Sequence, residues 1–182
     1  EEAFMAANTR ATERLAEAAA QGGVRSFVLL SSLAAVTENE SGAVVDDATD
    51  APAATAYGRS KRLAEDHVLA LTANGTFVAC LRPPLVVGAE ARGNWAALRR
   101  LAATGLPLPF ASVRNRRSLI GVDLLVAALA HLGEREWPVE KSGSYCLAGT
   151  DSLSLPEIVT ELRGGMGLPP RLFAFPPSAI RT

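Results

Sequence analysis

The sequence is poor in cysteine, in aromatic side chains and in long apolar segments. Its two cysteines, Cys80 and Cys146, stand alone inside apolar runs and lack the neighbours that metal sites or reactive thiols require, so we predict buried strand residues. No apolar stretch approaches the roughly 20 residues that span a bilayer, and the N-terminus lacks the basic start and apolar core of a signal peptide. We therefore expect a protein of the reducing cytoplasm with no membrane partner.

The chain also lacks an excess of charge of either sign. Eighteen basic against nineteen acidic residues give a formal net charge of −1, which offers no electrostatic footprint for nucleic acid or an anionic membrane. A small neutral or anionic ligand fits this composition better than a nucleic acid or a membrane does. With 182 residues, of which 48% are hydrophobic, the chain is long enough to bury one substantial core.

The hydrophobic pattern alternates between helical and extended segments. Residues 24–30 form a nearly continuous apolar run, as expected for a strand buried on both faces of a parallel sheet. Residues 76–81 form a second apolar strand, which the RPP segment at 82–84 stops because proline cannot donate to the ladder. A helix is predicted before each strand, over 3–20 and 56–73. In the first helix, the apolar residues at three- and four-residue steps are Phe4, Ala7, Ala11, Leu15 and Ala18.

The rest of the chain continues this alternation. Residues 37–55 are acidic, small and turn-rich, which predicts a surface loop across the mouth of the sheet. Helices that alternate with strands imply a parallel α/β fold. Ser154 is a candidate N-cap of the last helix, with Pro156 in its first turn. Further helices are predicted over ARGNWAALRRLAATG, DLLVAALAHLG and SLPEIVTELRGG, and further strands over RSLIGV and GSYCLAG. The segment GLPLPF is predicted as a turn.

The pattern YGRSK at 57–61 is the strongest chemical signal. It puts Tyr57 and Lys61 four residues apart, and therefore on one face of a helix. Using a tyrosine as an acid or base near pH 7 requires roughly 4 kcal/mol of stabilisation of its phenolate. One ammonium at about 4 Å supplies roughly that amount at an effective dielectric near 20. The alternative is an exposed tyrosine and lysine without a catalytic role.

Two serines follow the first predicted strand. Ser31 and Ser32 lie at its carboxyl end, where open α/β sheets bind their ligands. A hydroxyl at this place can donate to a substrate oxygen while Tyr57 exchanges its proton. The alternative for Ser32 is a strand-end hydroxyl that caps a backbone group.

Three segments in this order resemble the extended short-chain dehydrogenase/reductases of the NAD-dependent epimerase/dehydratase family: FVLLSSLAAV, AYGRSKRLAE and LRPPLVVG. GNWAALRRLAATGLPLPFASVRNRRSLIGVD is similar to the substrate-binding part of the UDP-hexose 4-epimerase branch. The resemblance implies the C-terminal part of a Rossmann-type parallel sheet plus a smaller α/β substrate-binding region. Residues 1–88 would belong to the NAD-binding domain and 89–182 mainly to the substrate-binding region, with about 117–148 returning to pack on the Rossmann part.

The resemblance also implies roles at the reactive centre. Tyr57 would be the acid/base, and Lys61 would bind the nicotinamide ribose and stabilise the phenolate. Ser32 would bind the reacting hydroxyl or ketone of the substrate. Ser31, counted among the cofactor-binding residues, is the fallback for Ser32.

Other implied positions bind the cofactor or the substrate. Asn8 matches the family's buried helix asparagine, although a satisfied core amide is an equal alternative, and Pro84 matches a segment against the nicotinamide. Arg117 matches an arginine on the diphosphate of the nucleotide sugar, a role suited to a bidentate guanidinium. Asn94 matches a residue near the substrate phosphates. The nearby Arg114 and Arg116 are interpreted as solvated surface charges.

The implied function is that of an NAD-dependent nucleotide-sugar epimerase. In such an enzyme Tyr57 would remove the proton of a sugar hydroxyl, and NAD would accept the hydride transiently; the resemblance leaves NADP open. A dehydratase is disfavoured, because Leu33 and Ala34 follow Ser32 where that branch usually has an Asp-Glu pair. A ketone reductase that uses NAD(P)H is the enzymatic alternative, and a non-catalytic dinucleotide-binding protein is the alternative of another class.

The sequence departs from the family in one larger respect. It has no Gly-rich phosphate loop of the GxxGxxG kind, so we expect that the first four strands are missing and that the chain alone is inactive. Smaller departures are Val87, where an aromatic residue is usual, and Leu124, where Asn or Asp is common. Family members commonly pair through two helices, which here would be those predicted at 3–20 and 56–73, so the resemblance implies a homodimer for the intact protein.

Overall fold

A computed structural model describes residues 1–37, 44–91 and 93–176. The described residues form two compact units. The first unit comprises Glu1–Pro84 and Val122–Ala148, and the second comprises Leu85–Gly121 and Gly149–Thr182. In chain order, the helices are α1 (Glu2–Phe4), α2 (Ala11–Gly22), α3 (Ala56–Leu69), α4 (Asn94–Ala103), α5 (Val122–Gly133) and α6 (Leu155–Gly165), and the strands are β1 (Ser26–Leu30), β2 (Phe77–Arg82), β3 (Leu85–Val87), β4 (Arg116–Gly121), β5 (Gly143–Cys146) and β6 (Ser152–Ser154).

The predicted elements are present, with small shifts at their ends. The domain boundaries expected from the sequence, a change at residue 88 and a return at about 117–148, stay predictions for the intact protein. Part of the predicted loop, residues 38–43, lies outside the described residues, and so does residue 92. The described part of the loop, from residue 44, contains turns but neither helix nor strand.

The first unit is built on a parallel sheet of order β1-β2-β5. Ser26 of β1 pairs with Phe77 of β2, and Ala79 of β2 pairs with Gly143 of β5. Parallel pairing of strands that are separated by helices confirms the α/β fold class. All three strands therefore end at the same edge of the sheet, and this edge carries Ser31, Arg82 and Cys146.

Burial differs between the strands of this sheet. All six residues of β2 are buried, because β2 is paired on both edges. The prediction that β1 is buried on both faces is wrong, since four of its residues are half-buried and Leu30 is exposed. Among the described residues β1 pairs with β2 alone, so less of the protein covers it.

The first helix is interrupted by a π-helical segment, Met5–Arg10, between α1 and α2. The predicted apolar side of this helix is wrong, because Phe4 and Leu15 are 46% and 62% exposed and the alanines of that side are exposed too. A π turn takes more residues than an α turn, so a period of 3.6 does not continue through it. The helix instead buries a side of small residues, which are Thr9, Thr12, Ala16 and Ala19.

The core of the first unit explains why small residues face inward. Ala16 and Ala19 pack with Val68 of α3 and with Val78 and Cys80 of β2. Alanines allow α2 to approach the sheet and α3 closely, whereas larger residues on that side would overpack the core. An alanine-rich sequence therefore leaves its buried side ambiguous until its neighbours are known.

The two cysteines are both free thiols. Cys80 is buried as predicted, and burial raises the pKa of its thiol to about 12. Cys146 lies at the end of β5 and is half-buried rather than buried; desolvation, followed by the nearby Asp47 carboxylate, raises its pKa to about 11. Both thiols thus stay protonated near neutral pH, as expected of unreactive cysteines.

The second unit contains a smaller sheet, in which β3 pairs parallel with β4 and β4 pairs antiparallel with β6. β3 and β6 were not predicted, since runs of three residues carry no clear period. The predicted cap of α6 is confirmed: Ser154 and Glu157 form a capping box, with proline in the first turn. Hydrogen bonds from the backbone and side chain of Ser154, and then from Arg116, lower the pKa of Glu157 to about 2.

Within the described residues, no helix combines the length and the apolar character that a membrane span requires.

Candidate active site

Tyr57 and Lys61 lie in the first two turns of α3, at the edge of the sheet where the strands end. The Thr55 side chain begins this helix by accepting a hydrogen bond from the Gly58 N–H at 3.0 Å. The Lys61 Nζ donates to the carbonyl of Leu30 at 3.0 Å and lies 6.0 Å from the centre of the Tyr57 ring. Tyr57 is 36% exposed, so its phenol faces solvent beside a cation that is anchored to the end of β1.

The ammonium of Lys61 lies in a partly desolvated place. Burial lowers the pKa of Lys61, and the Glu65 carboxylate one helical turn later opposes this effect. The Tyr57 ring packs edge-on against Phe4, with ring centres 5.6 Å apart. The phenol is therefore held by its ring, while its hydroxyl has no hydrogen-bond partner among the described residues.

Ser32 follows β1 and begins a 3₁₀ turn, Leu33–Ala35. Its Oγ accepts a hydrogen bond from the Ala34 N–H at 3.2 Å, which is the capping role considered as an alternative. A hydroxyl that accepts one bond keeps its own hydrogen for another, and the described residues provide no acceptor for it. Capping and substrate binding are thus compatible at Ser32.

Gly58 lets α3 approach the turn that follows Ser32. A Cβ added at Gly58 would lie 2.1 Å from the carbonyl oxygen of Ala34 and 3.2 Å from the Cβ of Ala53. Real Cβ atoms do not approach an oxygen this closely, so only glycine fits here. The glycine of YGRSK therefore holds the helix with Tyr57 against the turn that starts at Ser32.

The hydroxyl of Ser31 is buried and already hydrogen-bonded within the first unit. It is 3% exposed, and its Oγ donates to Oε1 of Glu65. Its backbone N–H donates to the carbonyl of Leu81 at 2.7 Å, which continues the ladder between β1 and β2. The hydroxyl of Ser31 is thus occupied inside the unit, unlike that of Ser32.

Asn8 is connected to the YGRSK segment through Ser60. The Nδ2 of Asn8 donates to the Oγ of Ser60 at 3.0 Å, and this Oγ donates to the carbonyl of Tyr57 at 2.8 Å. Thr9 adds a hydrogen bond to the carbonyl of Ser60 at 2.9 Å. The π-helical segment thus fastens the first helix to the turn that carries Tyr57, and the Nδ2 of Asn8 is hydrogen-bonded in a half-buried place.

The remaining predicted site residues are divided between the units. Pro84, the last residue of the first unit before the chain enters the second, is half-buried. Asn94 begins α4 in the second unit and is exposed, and Arg117 of β4 is exposed there too. Arg116 forms an ion pair with Glu157 at 3.0 Å, whereas Arg117 has no acceptor among the described residues.

Sequence reasoning missed a buried ion pair at this edge of the sheet. Glu65 of α3 and Arg82 of β2 are 1% and 5% exposed and are joined by three hydrogen bonds, the shortest 2.6 Å long. Two signals could have indicated it. Glu65 follows Lys61 by one helical turn, and Arg82 is a charge directly continuing an apolar strand.

Across residues 1–37, 44–91 and 93–176, no group of three or more His, Cys, Asp and Glu side chains is arranged to hold a metal ion.

Comparisons with known proteins show which family the sequence matches. The sequence profile of the NAD dependent epimerase/dehydratase family matches residues 1–147. The UDP-glucose 4-epimerase of Vibrio cholerae is 33% identical over 166 residues, which are 85% of this chain and 48% of that protein. The chain thus spans about half the length of this curated relative.

Solved structures give the same fold. MoeE5 in complex with UDP-glucose and NAD is 27% identical, with a TM-score of 0.71 over 92% of this chain and 57% of that chain. The UDP-N-acetylglucosamine 4-epimerase of Bacillus cereus is 19% identical, with a TM-score of 0.76 over 90% of this chain and 58% of that chain. At the lower identity, the likeness concerns the fold alone.

Proposed function

Because the chain belongs to the NAD-dependent epimerase/dehydratase family, we propose that the intact protein is a nucleotide-sugar epimerase that inverts C4 of a UDP-hexose. The observation that carries this proposal is the placement of Tyr57 and Lys61 beside the carboxyl end of β1, next to the turn that Ser32 begins. A phenol, an ammonium and a donor hydroxyl are the groups needed to exchange the proton of a sugar hydroxyl.

Each of the three side chains has a distinct task in this proposal. Ser32 donates its free hydrogen to the oxygen at C4 and orients the sugar. Tyr57 takes the proton from that oxygen as a phenolate and later returns it. Lys61, held by the Leu30 carbonyl, stabilises the phenolate by its charge. Because the ring of Tyr57 packs on Phe4, the phenol reaches the substrate without a large loss of side-chain entropy.

The residues of the site fit a nicotinamide dinucleotide. Lys61 uses one of its three N–H groups on Leu30 and keeps two for ribose hydroxyls, and Pro84 offers an apolar surface without an N–H for the ring. When bound, NAD supplies the acceptor and donor of the hydride. Since the family is NAD-dependent, NAD rather than NADP is the proposed cofactor.

The residues after Ser32 favour epimerisation over dehydration. Leu33 and Ala34 form the 3₁₀ turn and provide no acid or base that could expel water from the sugar. The second unit is suited to an anionic ligand, because its sequence contains nine arginines against four acidic residues. A UDP-sugar with its diphosphate has this chemistry.

An assay on the intact protein tests the proposal. We expect UDP-glucose or UDP-N-acetylglucosamine to be converted to its C4 epimer, followed by NMR of the sugar anomeric protons, with no net release of NADH. NADH released in proportion to product would instead show net oxidation of the sugar by NAD, which is the reverse reaction of a ketone reductase. Bound dinucleotide without conversion of either sugar would identify a non-catalytic binding protein.

Arg117→Ala should weaken UDP-sugar binding by about 2 kcal/mol, because a charge-assisted pair with the diphosphate is lost. The measurement is a calorimetric titration with UDP-sugar of the intact protein, with and without Arg117→Ala, in a Tyr57→Phe background that prevents turnover. Arg114→Ala is the matched control, since Arg114 is also exposed in the segment before β4. Equal affinities of wild type and the Arg117 variant would assign the diphosphate to other residues.

We also propose that the intact protein is a homodimer that pairs through the first helix and α3. These helices carry three exposed apolar side chains, Phe4, Leu15 and Leu63, with exposed fractions of 46%, 62% and 41%. Leu15→Glu places a charge among the exposed apolar side chains and should convert dimer to monomer in sedimentation velocity. Val44→Glu, at a residue 92% exposed in the loop, is the control and should leave the dimer intact. A wild-type protein that sediments as a monomer at all concentrations would refute the pairing.

We expect the 182-residue chain alone to have no measurable affinity for NAD, because its sequence contains no Gly-rich phosphate loop.

A further inference from the structure

Glu65 joins α3 to all three strands of the parallel sheet. Its carboxylate accepts hydrogen bonds from the hydroxyl of Ser31, from Nε of Arg82 at 3.0 Å, from Nη2 of Arg82 at 2.6 Å and from the hydroxyl of Ser144 at 3.2 Å. These donors follow β1, end β2 and lie in β5. A carboxylate has about four acceptor positions. These four hydrogen bonds therefore satisfy the carboxylate of Glu65, which is buried at 1% exposure.

The same carboxylate lies one helical turn after Lys61. Residues four apart share a face of an α-helix, and the ammonium of Lys61 donates to the carbonyl of Leu30, the residue before Ser31. Glu65 therefore fixes the strand end that carries the acceptor of Lys61. A shift of the Ser31 anchor would move the Leu30 carbonyl, and with it the place of the ammonium beside the Tyr57 ring.

The charge of Glu65 also stabilises the ammonium of Lys61. Burial lowers the pKa of Lys61, and the charge of Glu65 raises it. Among the charged groups on the elements around Lys61, Arg82 of β2 is bound to Glu65 itself. Arg62 of α3 pairs with Asp50 and, at 3.9 Å, with Asp66. The titratable phenol that faces Lys61 is that of Tyr57, whose ring centre lies 6.0 Å from Nζ. Glu65 is thus the anion that counters the desolvation of the Lys61 ammonium.

We propose that Glu65 is a positioning residue of the active site, which fixes the end of β1 where Lys61 is held and supplies the carboxylate one helical turn after Lys61. Its effect on turnover rests on the function proposed above, whereas its effect on Lys61 does not. Glu65 touches neither substrate nor cofactor in this proposal and acts through Lys61 alone.

The titration of Lys61 tests the proposal without any substrate. Lys61 and Lys141 are the only lysines of the chain, so trace acetylation across a pH series, read by peptide mass spectrometry, follows Lys61 with the exposed Lys141 as the reactivity reference. Glu65→Gln alone leaves Arg82 buried without an anion and endangers folding. The main variant is therefore Glu65→Gln combined with Arg82→Gln, which removes both charges and keeps two amides in contact.

The expected result is a midpoint for Lys61 at lower pH in the double variant than in wild type, with an unchanged circular dichroism spectrum. Glu65→Asp keeps the charge and should titrate like wild type. The matched control removes the outward pair between Arg62 of the same helix and Asp50 of the preceding loop, Arg62→Gln with Asp50→Asn, and should not shift the midpoint. An unshifted Lys61 in the folded double variant would overturn the proposal, and so would an equal shift in Glu65→Asp.

Turnover gives a second readout in the intact protein. The double variant should lose about tenfold in turnover at neutral pH, a part of the 10²–10⁴-fold that a positioned proton-transfer group contributes, and Glu65→Asp should recover most of it. If the protein epimerises no UDP-sugar, the proposed function fails while the shift of Lys61 still stands. If the sugar is epimerised and Lys61 does not shift, only the role of Glu65 fails.

Discussion

Tyr57→Phe in the intact protein should lower turnover by about 10²–10⁴-fold, because the group that takes and returns the substrate proton is removed. The fold should not change. The Tyr57 ring packs edge-on against Phe4 with centres 5.6 Å apart, and phenylalanine keeps this contact. Its hydroxyl bonds to none of the described residues, so no partner is left unsatisfied. The measurement is the turnover number for the UDP-sugar together with a thermal unfolding scan.

Tyr145→Phe is the matched control for this experiment. Tyr145 is the only other tyrosine of the chain, lies in β5 and donates to the carbonyl of Lys141. Its replacement removes a phenol without touching α3, so turnover should stay within about twofold of wild type, since loss of one hydrogen bond costs about 1 kcal/mol of stability only. Near-normal turnover of the Tyr57 variant would exclude Tyr57 as the acid/base.

Gly58→Ala should destabilise the protein by about 2 kcal/mol. The new Cβ would lie 2.1 Å from the carbonyl oxygen of Ala34, and the neighbour is backbone rather than a mobile side chain. Overpacking of this kind costs roughly 1–3 kcal/mol, which exceeds the gain of up to about 1 kcal/mol from replacing a helical glycine by alanine. Chemical denaturation measures the change in the free energy of unfolding.

A second glycine of the chain isolates the cause. Gly22, the last residue of α2, has open space around the position of a Cβ, so Gly22→Ala should be neutral or stabilise by up to about 1 kcal/mol. Gly58→Ala should also reduce turnover, because α3 must move away from the turn that begins at Ser32. Equal stability of the two variants would show that the contact between Gly58 and Ala34 is not what holds α3 in place.

The strands of the first unit could be predicted from local pattern. Apolar runs bounded by proline or by small residues located β1, β2 and β5, and the helices between them implied parallel pairing, which the registers confirm. The cap of α6 could be predicted as well, because serine, proline and glutamate at fixed offsets act within one turn. These features depend on neighbours in sequence.

The errors arose where the outcome depended on partners distant in sequence. The buried side of the first helix was misassigned, since alanines occur on every side of it and the π-helical segment shifts its phase. Cys146 is half-buried rather than buried because β5 is short and, among the described residues, pairs with β2 alone. The choice between Ser31 and Ser32 was open for the same reason.

By itself, the sequence determined the α/β class, the order of the elements and the helical turn that places Tyr57 beside Lys61, because period and spacing are local properties of the chain. The tertiary structure alone decided which serine keeps a free hydroxyl, which side of the first helix is buried, and that Glu65 meets Arg82 across 17 residues. A side chain's direction at a strand end depends on which groups from other strands and helices satisfy it, and only the folded chain brings those groups together.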